Sequence, residues 1–244
     1  NGRIPLGTQL LKPATDGQNV KLTIDSEMQW MVQQRIEQVR KEQKAAWAIG
    51  LVMDVETGEL LSMANAPTFD SNDFGKAKTE DLGNRAVGTA YEPGSVQKVL
   101  TLASVLDAGL TTPDSYVSID STIKSGDHDI TDAFKHGKID LTTRGVLVRS
   151  SNIGAITLAR SMEKAKLQQY MANFGLGKRT GVGLPGESAG VLPKATMPDY
   201  TRDSMAFGMG FSVTAVQEAA AIATVANGGV YNAPRVIDAT STGD

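Results

Sequence analysis

From Ser95 the chain runs SVQKVLTLASVLDAG to Gly109, a helical stretch that is apolar on several faces and stopped by a glycine. A helix without a polar face cannot lie on a surface, so the rest of the chain has to wrap it. Such a wrapping is within reach. The chain has 244 residues, 41% hydrophobic and 21% charged, which can bury a core without staples. A disordered, collagenous or disulfide-framed chain is excluded. There is no Cys, which removes thiol catalysis and Cys-ligated zinc. The two His, His128 and His136, leave little for a metal site or a His-based triad and read as surface residues. Lys and Arg total 24 against 27 Asp and Glu. With no basic field to hold a phosphate backbone, nucleic acid is not an expected partner. No apolar run approaches the roughly 18 residues of a membrane span, and no signal peptide is read.

Around the buried helix the sequence reads as α+β. Residues 1–20 carry Gly2, Pro5, Gly7, Pro13 and Gly17 and read as an extended lead-in. Lys21–Ile24 is strand-like. Asp25 or Ser26 can cap a helix whose apolar residues are Met28, Met31, Val32, Ile36 and Val39. Two apolar runs, 47–53 and 60–64, flank Glu56-Thr57-Gly58-Glu59 and predict a hairpin. Residues 65–94 read as loop, and residues 110–138 as polar and irregular. Three short helical stretches follow over 141–174, then a Gly- and Pro-bearing stretch over 175–204. Thr214 to Ala226 is an Ala-rich helix stopped by Asn227-Gly228-Gly229, and the tail begins strand-like.

Two short patterns carry chemistry. Ser-x-x-Lys occurs three times, as Ser95/Lys98, Ser121/Lys124 and Ser161/Lys164; with sixteen Ser and fourteen Lys a chance match is expected. Context selects Ser95. It follows Glu92-Pro93-Gly94, a turn that delivers the chain into the apolar helix. A side chain at a helix start points out of the first turn, and the dipole there favours developing negative charge. Lys98 lies three residues on, on nearly the same face, and desolvation lowers a lysine pKa as a lysine base requires. Taken alone, the pair reads first as an N-cap serine and a snorkelling lysine. Ser-x-Asn occurs once, as Ser150-Ser151-Asn152 between two helical stretches. A hydroxyl there can pass a proton, and an amide can both donate to and accept from a peptide. The plainer reading is a polar interhelical turn. Glu92, beside the serine turn, reads as an exposed loop carboxylate.

In their order and flanks the two patterns resemble a known family. Tyr91-Glu92-Pro93-Gly94-Ser95-Val96-Gln97-Lys98 followed by Arg149-Ser150-Ser151-Asn152-Ile153-Gly154 is similar to the transpeptidase domain of class B penicillin-binding proteins. Further similar segments are Leu22–Asp25, Met53–Ala64, Asn84-Arg85-Ala86, Phe207–Gln217 and Ala226–Gly229, so the likeness spans about residues 20–235. The cell-division (septal) subgroup looks nearest, although it commonly has Thr-Phe where this chain has Val96-Gln97. The resemblance implies a penicillin-binding/serine β-lactamase-like fold: a central antiparallel sheet packed with helices, plus an all-helical subdomain. It implies a lead-in over 1–20 from a further N-terminal region, then a transpeptidase domain over 21–244. The implied reaction is D,D-transpeptidation through an acyl-serine, with Ser95 as nucleophile, Lys98 as base, Ser150 as proton relay, and Asn152 orienting the donor peptide and holding Lys98. The Ser95 N–H would be one oxyanion donor. No cofactor or metal is implied. The implied partners are peptidoglycan stem peptides, β-lactam antibiotics and division-complex proteins. The implied place is the outer face of the cytoplasmic membrane, with an N-terminal helical anchor.

One element of the family is not found. A Lys-Thr/Ser-Gly triplet should follow Ser-x-Asn on a strand facing the serine. The only such triplet, Lys124-Ser125-Gly126, precedes Ser150 and reads as coincidence. Lys178-Arg179-Thr180-Gly181 has an extra residue, and Thr242-Gly243 follows Ser241. The expectation is a domain truncated at its C-terminus, with an open sheet completed by a second chain or a C-terminal segment, and impaired activity for 1–244 alone. Two other readings stay open on sequence: a serine β-lactamase or D,D-carboxypeptidase that passes the acyl group to water, and a non-catalytic β-lactam sensor or division scaffold.

Overall fold

The computed structural model describes residues 17–242. In chain order the elements are β1 (Gln18–Leu22), α1 (Ser26–Glu42), β2 (Ala48–Met53), β3 (Leu60–Ala66), α2 (Arg85–Gly88) and α3 (Gln97–Asp107). They continue with β4 (Tyr116–Ile119), β5 (Ile123–Ser125), β6 (His128–Ile130), β7 (Ile139–Thr142), α4 (Thr143–Val148) and α5 (Asn152–Ala159). The last are α6 (Lys164–Asn173), α7 (Asp199–Ala206), α8 (Ala215–Ala226) and β8 (Ile237–Thr242). Of the expected lead-in, residues 1–16 lie outside the described residues, and Gln18 to Val20 already belong to β1.

The apolar stretch after Ser95 is α3, and it lies at the centre of the helical half. Leu100, Leu102 and Val105 of α3 share one buried cluster with Ile156 and Ala159 of α5, Leu167 and Met171 of α6, Met205 of α7 and Ala221 of α8. A helix apolar on several faces needs neighbours on several faces, and here α4, α5, α6, α7 and α8 all pack on it. Thr101 Oγ1 donates to the Ala206 carbonyl at 2.9 Å, so even a hydroxyl of α3 is satisfied within the core.

The second half is built on the predicted hairpin. β2 and β3 pair antiparallel from Ala48/Ala66 to Met53/Leu60. β3 alternates between buried and half-buried residues, as a strand with one covered face does. Asp25 caps α1, its carboxylate accepting from the Met28 N–H at 2.8 Å. The helix approaches β2 so closely that a Cβ on Gly50 would lie 2.4 Å from Val32 Cγ1. Gln29 stitches the helix to β3, accepting from the Met63 N–H at 2.7 Å and donating to its carbonyl at 3.2 Å. Met31, one of the apolar residues at helical spacing, is exposed together with Trp30. β1 pairs with β8, not with the hairpin. Among the described residues no third strand joins β2 or β3. Along β2 runs a groove of about 600 Å³, lined by Trp47, Ile49, Leu51, Tyr91, Glu218 and Ile222 among others.

Two stretches read as irregular are not. Residues 110–138 contain β4, which pairs with β7, and β5, which pairs with β6. Runs of three or four residues are too short to carry a period-2 signal. α7 begins inside the stretch read as loop. Its polar sequence DYTRDSMA hides a buried carboxylate, Asp203, which accepts from Ser125 Oγ at 2.6 Å and from Arg160 Nη2 at 2.6 Å. Burial pushes Asp203 up, but Arg160, Ser125 and Arg202 together hold it below the usual carboxylate range.

Candidate active site

The structure chooses between the three Ser-x-x-Lys pairs. Ser161 Oγ donates to the Leu158 carbonyl, and Lys164 pairs with Asp199 on the surface. The Lys124 carbonyl accepts from Arg160, and Lys124-Ser125-Gly126 closes the β5–β6 hairpin on Asp203, away from any facing serine. Ser95 alone is exposed in the first turn of a buried helix, with its lysine one turn deeper.

Three backbone contacts hold the Ser95 turn. Tyr91 and Val213 exchange N–H to carbonyl bonds, both 2.9 Å, and the Gly94 N–H donates to the Gly208 carbonyl at 3.0 Å. Gly94 and Gly208 both have positive φ, +59° and +94°. A Cβ on Gly208 would stand 1.8 Å from the Gly94 oxygen, so only glycine lets the two backbones meet. Glu92 is exposed but not idle: its Oε1 accepts from the Gly210 N–H at 2.8 Å. The segment Phe207–Val213 is therefore the latch that fixes the serine turn.

Lys98 is 1% exposed. Its Nζ lies 3.1 Å from Ser95 Oγ, 3.0 Å from Ser150 Oγ and 2.6 Å from the Ser150 carbonyl. Burial lowers its pKa to about 8, against the Asp132 carboxylate, which raises it. A neutral amine in this place has two hydrogens and one lone pair. It can donate to the carbonyl and one hydroxyl and accept from the other, which is the arrangement of a base on Ser95.

Ser150 reaches the lysine through the way α4 ends. Its N–H bonds to the Leu147 carbonyl and the Ser151 N–H to the Val146 carbonyl, both at 3.0 Å, while φ of Ser150 is +53°. This is a Schellman ending with serine in the left-handed position that glycine usually takes. The strained backbone turns both the hydroxyl and the carbonyl of Ser150 toward Lys98. Ser151 then caps α5, accepting from the Gly154 N–H at 2.8 Å.

Asn152 is placed differently from the expectation that it holds Lys98. Its Nδ2 donates to the Thr131 carbonyl at 2.9 Å, and the contacts of Lys98 are with Ser95 and Ser150. The reason is that Asn152 is the first residue of α5 and faces the loop that packs on that helix end. Sequence reading missed Asp132, whose buried carboxylate accepts from Ser151 Oγ at 2.6 Å. It also took His136 for a surface residue, whereas the ring is 6% exposed and lies against Asp132 at 3.3 Å. A Ser-Ser-Asn turn in need of an acceptor was the available signal, but no spacing rule points to a loop some twenty residues earlier.

Comparison with known proteins agrees with this geometry. Residues 48–242 match the penicillin binding protein transpeptidase domain. The penicillin-binding protein PbpB of Mycolicibacterium smegmatis is 40% identical over 233 residues, 95% of this chain and 36% of that protein. The peptidoglycan D,D-transpeptidase FtsI of Escherichia coli is 34% identical over 222 residues, 89% of this chain and 37% of that protein. The crystal structure of penicillin-binding protein 3 from Mycobacterium tuberculosis complexed with aztreonam superposes with a TM-score of 0.90 at 38% identity, covering 95% of this chain and 52% of that one. The chain thus spans about a third of the length of these curated relatives. A serine at the mouth of a buried helix, a desolvated lysine beneath it and a matching chain trace over most of its length have one common source: this chain belongs to the penicillin-binding protein transpeptidase family, and to its α+β fold.

Proposed function

We propose that the chain carries the acylating centre of a peptidoglycan D,D-transpeptidase of the septal type, working on the outer face of the cytoplasmic membrane. The observation that carries this reading is Lys98, buried and held between Ser95 and Ser150. Ser95 Oγ attacks the carbonyl between two terminal D-alanines of a stem peptide, and its proton passes to Lys98 Nζ. The Oγ–C bond forms and the C–N bond to the last D-alanine breaks. The proton returns from Lys98 through Ser150 Oγ to the leaving amine. The amine of a second stem peptide then attacks the acyl-serine carbonyl and forms the cross-linking C–N bond; the Oγ–C bond breaks, and the proton that the amine loses passes through Lys98 Nζ back to Ser95 Oγ. The Ser95 N–H, near the start of α3, stabilises the oxyanion, and Asn152 orients the donor peptide. A β-lactam enters by the same first step, its ring C–N bond taking the place of the peptide bond.

The same reading assigns the groove along β2 to further strands of the sheet, with the Lys-Thr/Ser-Gly element among them. Two features support it. The outer edge of β2 has backbone groups free to pair. In the groove Glu218 accepts from Tyr91 Oη at 2.6 Å, while its buried second oxygen has no partner among the described residues. No helix among the described residues is long and apolar enough to cross a membrane, so anchoring belongs to other parts of the protein in this reading, as does contact with division proteins.

The test is peptide mapping by mass spectrometry after reaction of the full-length protein with a labelled penicillin. The label is expected on Ser95, and absent from a Ser95→Ala variant. Label on Ser121 or Ser161 overturns the assignment. Rapid release of hydrolysed penicillin makes the protein a β-lactamase instead, and stable acylation with no D-alanine release from a stem peptide makes it a sensor.

A further inference from the structure

The loop 131–138 packs against the back of the Ser150–Asn152 turn, and Asp132 is at its centre. The Asp132 side chain is fully shielded from solvent. Its Oδ2 accepts from Ser151 Oγ at 2.6 Å, and its Oδ1 from the Ile153 N–H at 3.0 Å. Through these two donors one carboxylate holds the first turn of α5, where the helix dipole favours a negative charge. The neighbouring Thr131 carbonyl takes the Asn152 amide. Every residue of the Ser151-Asn152-Ile153 run is therefore pinned to two consecutive residues of this loop.

The outer side is closed by His136. Its Nε2 lies 3.3 Å from Asp132 Oδ2, its Nδ1 donates to the Gly137 carbonyl at 2.7 Å, and its ring stands 4.8 Å from that of Phe134. Arg149, from the end of α4, is held over the Phe134 ring at 5.8 Å and makes no ion pair with Asp132. No Lys or Arg is paired with the buried carboxylate among the described residues.

Asp132 takes these two donors on two separate oxygens; an asparagine in its place would offer one acceptor oxygen and an amide N–H, so it is the carboxylate that holds both, although taking a charge out of water costs several kcal/mol. What the charge adds is its effect on the cation nearby. Asp132 opposes the burial that drives the proton off Lys98. With the carboxylate in place the lysine is kept able to hold the proton it takes from the serine, as a base that must later return that proton has to be.

We infer that Asp132 is a positioning residue for acyl transfer: it locks the Ser150–Asn152 turn against Lys98 and places a negative charge directly behind that turn. This rests on the reading of Ser95 and Lys98 given above. It predicts two separable effects of Asp132→Asn. Loss of the lock lowers the acylation rate at every pH. Loss of the charge moves the acid limb of the rate profile to lower pH, because the neutral amine is then reached sooner.

The experiment compares full-length wild type, Asp132→Asn and Asp132→Glu. Acylation by a fluorescent penicillin is followed from pH 5.5 to 10. In parallel, carbamylation of Lys98 by cyanate, which needs the neutral amine but not Ser95 chemistry, is followed by mass spectrometry. For Asp132→Asn the plateau should fall about tenfold or more, and both midpoints should move down by about half a unit or more. Asp132→Glu, which keeps the charge but displaces the turn, should lose rate with its midpoints unmoved. A lower plateau in Asp132→Asn with both midpoints at their wild-type values reduces Asp132 to a structural cap and overturns the inference, as does a variant unchanged in every respect. If wild type itself is not acylated, the acyl-transfer reading falls and takes the positioning role with it; if wild type is acylated and the midpoints stay, the inference falls alone.

Discussion

Ser150 shows what a single residue contributes when it sits in the wrong backbone region. Its φ of +53° is a conformation that serine adopts at a cost of roughly 1–3 kcal/mol and glycine adopts freely. The Schellman bonds at the end of α4 would be kept by glycine. What serine adds is the hydroxyl 3.0 Å from Lys98. Ser150→Gly should therefore leave stability unchanged or raise it by up to about 1 kcal/mol, while acylation falls tenfold or more, on the order of what a proton relay contributes. A urea melt and a fluorescent-penicillin assay on the same variant check this. A loss of more than about 2 kcal/mol would mean that the hydroxyl is a packing group. Lys98 carries a second local cost, an ammonium taken out of water, and burial drives its pKa to about 8 as a consequence.

At the scale of elements, the serine is aimed by a segment more than a hundred residues away. The stretch Phe207–Val213 connects α7 to α8 and pairs with Tyr91 and Gly94 through its backbone. Gly208 is there for close approach: a Cβ on it would overlap the Gly94 oxygen. Gly208→Ala should force the two backbones apart and cost at least about 3 kcal/mol, since positive φ and a main-chain clash add. Acylation should fall with it, because Ser95 moves when Gly94 moves. Denaturant midpoints and penicillin-labelling rates measure both. A variant as stable as wild type would show that this latch is loose. The buried Asp203 plays a comparable part on the other side, tying the β5–β6 hairpin to α5 through Arg160 and to α7. Removal of Arg160 there would leave the buried charge with Arg202 and Ser125 alone.

For the molecule as a whole, the helical half and the hairpin half differ in how fully their elements are covered. α3 is enclosed by helices on several sides, whereas the β2–β3 hairpin has α1, α2 and α8 against it and an open edge on β2. Trp47, Ile49 and Leu51 line a groove of about 600 Å³ beside that edge. A hairpin with an unpaired edge is marginal in water and prone to pair with other chains. Residues 1–244 expressed alone should therefore melt with low cooperativity, self-associate, and react with penicillin more slowly than the full-length protein by about a hundredfold or more, the scale on which a loosely held oxyanion site costs rate. Sedimentation, a denaturant melt and the labelling rate decide the matter. A cooperative monomer acylated at the full-length rate would remove the need for further strands.

Much of this was legible in residues alone. The buried helix follows from its all-round apolar faces, the Asp25 cap and the β2–β3 hairpin from local chemistry, and the preference for Ser95 over Ser121 and Ser161 from the Pro-Gly turn before it. These are properties of contiguous stretches, where period, cap and turn act within a few residues. The contacts that join distant stretches were not legible. That Lys98 meets Ser150 and not Asn152, that Gly208 must be glycine, and that Asp132 lies buried behind the Ser-Ser-Asn turn each depend on two backbones meeting across the core. The same holds for Asp203 in the polar helix α7, a buried carboxylate paired by two arginines beside the apolar Met205 and Ala206. Local sequence determined which side chains could act as nucleophile and base. Tertiary packing decided which of them touch and how far each is taken from water, because distance and desolvation are set by the neighbours that folding brings and not by the spacing along the chain.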